Sequence, residues 1–110
     1  MTQTVMGEII PLVDPSDYKR VLKRIKTLWE SGHVEFKSHA LSRMKDRDID
    51  TTDLQHLIRN GRISEHSRPK QFHRYKIEGK SVDGKKLGCI VEVNGNLIVV
   101  TVLPKQEGKR

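Results

Sequence analysis

The chain has 110 residues, enough for one small domain with its own core, and carries 21 lysines and arginines against 14 aspartates and glutamates. Its single cysteine excludes an internal disulfide, and no apolar run approaches the ~20 residues that a membrane span needs. The lack of a signal-peptide pattern further predicts a cytoplasmic protein. The net charge of +7 favours nucleic acid as partner, although a merely solvated basic surface would also account for it.

The first predicted elements are an arm and a helix. Residues 1–13 show no sustained period and are interpreted as an N-terminal arm or a short edge strand. Asp14 and Pro15 then suit a helix start, as cap and first helical residue, and Gly32 suits its end. Apolar residues recur between them at three- and four-residue steps, namely Tyr18, Val21, Leu22, Ile25, Leu28 and Trp29. This pattern predicts an amphipathic helix whose stripe, Trp29 included, faces the core.

Two shorter helices are predicted next. Ser38 is a plausible N-cap for a helix that runs to about Arg47, and Asp50 or Thr51 caps a third. That helix ends at Gly61, which we expect to adopt the left-handed conformation common at helix ends. Residues 14–61 are therefore predicted to be the helical part of the chain.

The rest of the chain has the period of β-strands. Strands are predicted over residues 62–66, 72–79, 86–93 and 97–103, and short turns at Asp83-Gly84 and Asn94-Gly95-Asn96 make neighbours antiparallel. Pro104 ends the last strand, and residues 104–110 are expected to form a solvated tail. The predicted fold is α+β: one domain over residues 1–110, with N-terminal helices packed on a four-stranded antiparallel β-meander over residues 62–103.

Most of the net positive charge is concentrated in one quarter of the chain. Residues 59–86 contain nine basic side chains and three acidic ones. Clustering of this kind is the electrostatic pattern of a nucleic-acid-binding surface. The candidate contacts in this segment are Arg62, Arg68, Lys70 and Lys76.

A polar stripe on the second predicted helix is the strongest candidate for chemistry. At about 100° per residue, His39, Arg43 and Arg47 fall on one side of the helix. Arg43 and Arg47 repel each other mildly, and a bound phosphate would relieve that repulsion. Two alternatives stay open: the arginines pair with Asp46 and Asp50 as a salt-bridged helix face, or His39 has a structural role.

Strand alternation constrains a third arginine. If Tyr75 and Ile77 face the core, Arg74 lies on the open face of the sheet, where it either contacts RNA or is simply exposed. His66 and His73 are further acid/base candidates, although an ordinary strand role suits each of them.

The segment His39-Ala-x-x-Arg43-Met-x-x-Arg47-x-Ile49 resembles a bacterial family of unknown function. Later matches are Thr52-Asp53-Leu54, Asn60-Gly61-Arg62, Arg74-Tyr75-x-Ile77-x-Gly79 and Ile98-Val-Val-Thr101-Val102. That family is similar to the RelE, ParE and BrnT toxins and to the wider barnase, colicin and RelE ribonuclease fold. The resemblance implies a RelE-like fold, RNA as substrate, free or ribosome-bound, and a small antitoxin protein as partner. It adds Tyr75 as an RNA contact and Thr101 as a polar residue of the catalytic site.

Metal-independent RNA cleavage requires proton transfer and fixed positive charge. Histidine suits the first task and the planar fork of arginine suits phosphate, so the candidate catalytic residues are His39, Arg43, Arg47, Arg74 and Thr101. No cofactor is expected. The histidine spacing and single cysteine give no zinc motif, and phosphate-loop and serine-elbow motifs are absent from the sequence. A non-catalytic nucleic-acid or ribosome-binding module and a ParE-like inhibitor that binds a protein remain alternatives, and the oligomeric state stays open.

Overall fold

The computed structural model describes residues 16–106, and within them it contains three helices and five strands, which confirms the α+β class. In chain order the elements are α1 (Tyr18–Glu30), β1 (Val34–Phe36), α2 (Ser38–Asp46), α3 (Thr51–Asn60), β2 (Arg62–Ser67), β3 (Arg74–Lys80), β4 (Lys86–Asn94) and β5 (Asn96–Val102). The predicted arm over residues 1–13 lies outside this range. Within residues 16–106, no helix has the length and apolar character needed to cross a membrane.

The strands form one mixed sheet in the order β1-β5-β4-β3-β2. Strands β2 to β5 are antiparallel neighbours, as the turns predicted. The prediction of a four-stranded antiparallel meander is nevertheless wrong, because β1 adds a fifth strand parallel to β5. Val34 pairs with Leu97 and Phe36 with Val99, so a segment of the predicted helical part completes the sheet. Three residues are too few to establish a period of two, and no short turn reveals a parallel partner.

The first two helices begin at residues other than the predicted caps. The predicted cap Asp14 lies outside the described residues, and α1 starts at Tyr18, where Asp17 accepts a hydrogen bond from the Arg20 backbone N–H at 3.3 Å. Ser38 is the first residue of α2 and not its cap. The preceding Lys37 continues the pairing of β1, because its backbone N–H donates to the Val99 carbonyl at 3.0 Å.

The start of α3 is the predicted one. The Asp50 carboxylate accepts from the Asp53 backbone N–H at 2.9 Å, and the Asp53 carboxylate accepts from the Asp50 backbone N–H at 3.3 Å. This reciprocal pair is a capping box and satisfies two N–H groups that the helix leaves free.

Gly61 ends α3 as predicted, but for a different reason. Its φ is −86°, so its backbone is not left-handed. A Cβ at this position would lie 2.6 Å from the Leu57 carbonyl oxygen and 2.7 Å from the Glu78 carbonyl oxygen. Glycine is therefore required because the end of α3 passes directly against β3.

All three helices pack on one face of the sheet and leave the other open. In β3, Tyr75 and Ile77 are buried toward the helices, whereas Arg74 and Lys76 point to the open face, as alternation predicted. The helices supply the following residues to the core: Val21, Ile25, Leu28, Ala40, Met44, Leu54, Leu57 and Ile58. Trp29 is half-buried against this core, with its ring edge-on to Phe36 at 6.2 Å.

Cys89 lies in the centre of β4 and is buried in the core. Burial raises the pKa of its thiol to about 12. The thiol therefore stays protonated near neutral pH and is a packing residue without nucleophilic character.

The segment after β5 is held against the domain, although we expected a solvated tail. Gln106 and Lys86 exchange two backbone hydrogen bonds, of 2.8 and 2.9 Å, so the chain rejoins β4 beyond Pro104. Lys105 forms an ion pair of 3.2 Å with Asp53, the second member of the capping box of α3. Residues 107–110 lie outside the described range.

Candidate functional site

His39 and Arg43 meet on the solvent side of α2. Arg43 stands one helical turn after His39, and its Nε–H donates to the His39 Nε2 atom at 3.4 Å. The His39 side chain is exposed and Arg43 is half-buried. This contact is the one expected from a four-residue spacing on a helix. It makes Nε2 the acceptor, so in this arrangement the ring is neutral and carries its proton on Nδ1.

Arg47 and Thr101 share one hydrogen-bond acceptor. The Arg47 Nη1 atom donates to the Val102 carbonyl oxygen at 2.8 Å, and the Thr101 hydroxyl is 3.4 Å from the same oxygen. Arg47 is the residue that ends α2. The structure thus places His39 and Arg43 on α2 and Arg47 directly after it. Thr101 lies at the adjoining end of β5.

The salt-bridged alternative for this helix face does not occur among the described residues. Arg43 contacts His39, and Arg47 contacts a backbone carbonyl, in place of Asp46 and Asp50. Asp50 is engaged in the capping box of α3. The positive charge of Arg43 and Arg47 is therefore not cancelled by these carboxylates.

Arg74 lies apart from the α2 residues. Its Nε–H donates to the Glu92 carboxylate at 2.6 Å, and both side chains project from the open face of the sheet. Helix α2 instead packs on the core side through Ala40 and Met44. No hydrogen bond or ion pair within residues 16–106 links Arg74 to His39, so the five candidate catalytic residues do not form one contact cluster.

The pairing of Arg74 could have been found from the sequence. The Asp83-Gly84 turn places Lys80 opposite Lys86, and each further step along both strands pairs the next residues. Six steps from the turn, Arg74 stands opposite Glu92. Opposite charges directly across two antiparallel strands attract each other, so this signal was available before the structure.

The basic segment contains both exposed and engaged side chains. Arg62, Arg68 and Lys70 are exposed, and Arg68 bonds the nearby Gln71 carbonyl oxygen at 3.4 Å. Tyr75 is only 3% exposed, so its ring belongs to the core and not to the surface that RNA could reach.

Lys76 is held by two carboxylates. Its Nζ atom is 3.2 Å from the Glu78 carboxylate and 3.6 Å from the Glu65 carboxylate. The hydrogen bond with Glu78 raises the pKa of Lys76 against the opposing effect of burial, and the negative charges of both glutamates raise it further. Lys76 is therefore protonated, and two glutamates on the open face already balance its positive charge.

Two other histidines form a pair at the far edge of the sheet. The His66 Nε2 and His73 Nδ1 atoms are 2.7 Å apart, and the His66 ring stacks on Tyr75 with centroids 4.7 Å apart. Burial lowers the pKa of His73, and the neighbouring His66 and Arg68 lower it further. Their seven-residue spacing matches no motif, so the sequence carried no signal for this contact.

Among the described residues, no group of three or more histidine, cysteine, aspartate or glutamate side chains could hold a metal ion. The chemistry available at α2 is therefore that of an imidazole beside guanidinium groups.

The family model described as Domain of unknown function (DUF4258) matches residues 36–104, which is more than half of the chain. The protein belongs to this family. The matched region begins in β1, ends just after β5 and includes every residue of the α2 site. No curated protein and no solved structure matches the chain.

Proposed function

We propose that this protein is a ribonuclease of the toxin class that includes RelE and BrnT, and that it cleaves RNA without a metal ion. The observation that carries the proposal is the contact between His39 and Arg43 on an exposed helix face. It joins a group that transfers protons near neutral pH to a group that binds phosphate. The overall positive charge supports a polyanionic substrate.

The residues of α2 can perform the two tasks of the reaction. When RNA binds, the ribose 2′-hydroxyl replaces Arg43 at the His39 Nε2 atom, which accepts the hydroxyl proton while the 2′-oxygen attacks phosphorus. Arg43, released from His39, binds the phosphate oxygens that gain charge. The bond from phosphorus to the 5′-oxygen breaks, and that oxygen takes a proton from solvent, to which His39 returns the proton that it accepted. The products are a 2′,3′-cyclic phosphate and a free 5′-hydroxyl.

Expression of His39→Ala in a bacterial host tests this proposal. We expect the wild type to arrest growth and fragment cellular RNA, and His39→Ala and Arg43→Ala to do neither while staying folded. His33→Ala is the matched control, because the His33 side chain is also exposed but bonds only the nearby Ser31 hydroxyl among the described residues. The purified wild type should leave 2′,3′-cyclic phosphate ends on RNA.

A non-catalytic RNA-binding protein is the second candidate. It is favoured by the separation of Arg74 from His39, which leaves the α2 site with fewer phosphate ligands than expected. In that case RNA stays intact, and binding weakens with salt but survives His39→Ala. Growth arrest with intact RNA that does not bind the protein would instead indicate a protein target, as in ParE-like inhibitors.

A toxin of this class requires neutralisation by a partner. We propose a small acidic antitoxin for this role, since a protein of net charge +7 attracts an acidic partner. Co-expression of a neighbouring small open reading frame should restore growth if it encodes that antitoxin.

A further inference from the structure

A groove opens on the face of the sheet that the helices do not cover. Its volume is about 320 Å³, and its charged lining consists of Arg62, Lys76, Glu78, Lys80 and Lys86. Leu103, in the segment after β5, forms one wall. Four basic side chains thus surround one acidic side chain in a single concave surface.

Two of these lysines stand directly opposite each other. Lys80 ends β3 and Lys86 begins β4, and the two residues are register partners at the end of the hairpin. Both are exposed on the same face, and neither forms a side-chain ion pair with another described residue. Like charges at directly opposed positions repel each other and destabilise the pairing of the strands. An anion bound between them would convert this repulsion into attraction.

The one carboxylate of the groove does not neutralise the lysine pair. Glu78 lies 3.2 Å from Lys76, and this hydrogen bond lowers the pKa of Glu78 despite its partial burial. Arg62, on β2, stands opposite Glu78 of β3 and is exposed at the groove. The charge of Arg62 also lowers the pKa of Glu78, so this one carboxylate is shared by Arg62 and Lys76. Lys80 and Lys86 remain without a carboxylate partner among the described residues, and the groove keeps an excess of positive charge that attracts an anionic ligand.

Gly88 leaves room for the Leu103 side chain beside these residues. It stands opposite Glu78 on β4, and a Cβ there would lie 3.0 Å from the Leu103 Cδ1 atom. Leu103 therefore packs closely over the strand and gives the groove an apolar wall beside its basic rim. Such a combination suits a phosphate with its attached sugar, and the volume is at the lower end of ligand clefts.

We propose that this groove binds a phosphodiester of single-stranded RNA through Arg62, Lys80 and Lys86, and holds the RNA on the sheet face away from α2. This inference rests on the proposed function, because it takes RNA as the substrate. The proposal assigns an RNA-binding role to Lys80 and Lys86. The surface that binds the RNA contains none of the α2 residues.

The test measures binding separately from cleavage. The probe is a short fluorescein-labelled 2′-O-methyl oligouridylate, which lacks the attacking hydroxyl, and anisotropy is recorded over a range of salt concentrations. The variant is Lys80→Ala with Lys86→Ala. The control is Lys19→Ala with Lys23→Ala, which removes the same charge from the exposed face of α1.

We expect the groove variant to bind at least about tenfold more weakly than the control. Its slope of log affinity against log salt should be shallower by about 1.4, since each lost phosphate contact on a single strand contributes about 0.7. Circular dichroism should show both variants folded.

Equal affinity of the two variants, or no binding by the wild type, would overturn the groove proposal. An equal loss of affinity for polyglutamate would assign the groove to acidic polypeptides and overturn RNA as its ligand. Cleavage of unmodified RNA is measured in parallel with His39→Ala. If the wild type does not cleave RNA but the groove variant binds RNA more weakly than the control, the ribonuclease proposal is refuted and the groove proposal stands.

Discussion

The Arg47 guanidinium donates to the carbonyl of Val102, 55 positions later in the chain, at a distance of 2.8 Å. Strand β1 ends at Phe36 and pairs with β5 only as far as Val99, so beyond that point no strand of the described residues pairs with this edge of β5. Leu103 donates its N–H toward β4, which turns the preceding Val102 carbonyl toward this edge. Arg47 thus supplies a hydrogen bond to an edge that no other strand within residues 16–106 covers.

Arg47→Ala should destabilise the fold by about 1.5–3 kcal/mol, because it removes a partly buried hydrogen bond from a charged donor. Arg43→Ala is the matched control and should stay within about 0.5 kcal/mol of the wild type, since its contact is long and lies at the surface. Urea unfolding of the two variants gives both values. Equal stability of Arg47→Ala and wild type would contradict the structural role.

Gly61→Ala should cost more stability than Gly32→Ala. The new methyl group of Gly61→Ala would lie 2.6 and 2.7 Å from two backbone carbonyl oxygens, so α3 and β3 would have to separate. Gly32 has a φ of +81° but no atom within 4 Å of the added methyl group, so its substitution costs only about 1–2 kcal/mol of backbone strain. Thermal unfolding of both variants measures the difference, and the reverse order would show that the close approach is not a constraint.

Asp53 should make the fold sensitive to acid. Burial acts to raise the pKa of Asp53, but hydrogen bonds from the Val82 backbone, Lys105 and the Asp50 backbone outweigh it and leave the pKa below 3.8. The carboxylate therefore contributes stability that is fully present above its unfolded pKa of 3.8 and is lost as the pH falls through its folded pKa. We expect the urea midpoint of the wild type to fall more steeply below about pH 4 than that of Asp53→Asn.

At neutral pH, Asp53→Asn should cost about 1.5–3 kcal/mol, because it removes charged hydrogen bonds from a largely buried position and leaves Lys105 with Asp83, at 3.8 Å, as its nearest carboxylate. Asp46→Asn is the control, since Asp46 is exposed on α2 and should change stability by less than about 0.5 kcal/mol. Identical acid profiles for the wild type and Asp53→Asn would contradict a stabilising role for the ion pair between Asp53 in α3 and Lys105 in the segment after β5.

His73 should titrate below its ordinary value of 6.5. Burial is the main cause, and the charges of His66 and Arg68 lower the pKa further. The neutral ring is favoured in the folded protein, so stability is complete above pH 6.5 and falls as the pH drops from 6.5 through the folded pKa. NMR titration of the ring protons should show a lowered midpoint that rises in His66→Asn yet stays below 6.5. A wild-type midpoint at or above 6.5 would contradict this account.

Much of the fold could be predicted because its signals are local. The antiparallel neighbours follow from the turns at Gly84 and Gly95, and Asp50 caps α3 through residues three positions away. Strand β1 could not be found this way, since its partner in β5 lies far along the chain. The position of Lys105 likewise depends on Asp53, which no local pattern connects to it.

The candidate site likewise contains some contacts that local patterns predict and others that only the tertiary structure reveals. The contact of His39 with Arg43 follows from helix geometry alone, and the pairing of Arg74 with Glu92 follows from the hairpin register. The bond of Arg47 to Val102 requires α2 to be docked against β5, so only the tertiary structure reveals it. His66 and His73 meet because β2 and the residues before β3 converge, which is also a tertiary event.

The parallel pairing of β1 with β5 sets the order in which the molecule can assemble during translation. The N-terminal strand of this pair leaves the ribosome long before its partner, the last strand of the sheet, has been made. Helix α2 follows β1 directly and docks on the same late strand, so it has no docking surface on a nascent chain that stops short of β5. High contact order of this kind also slows folding after release. Helix α2 and strand β1 therefore reach their places in the fold only after β5 has been made.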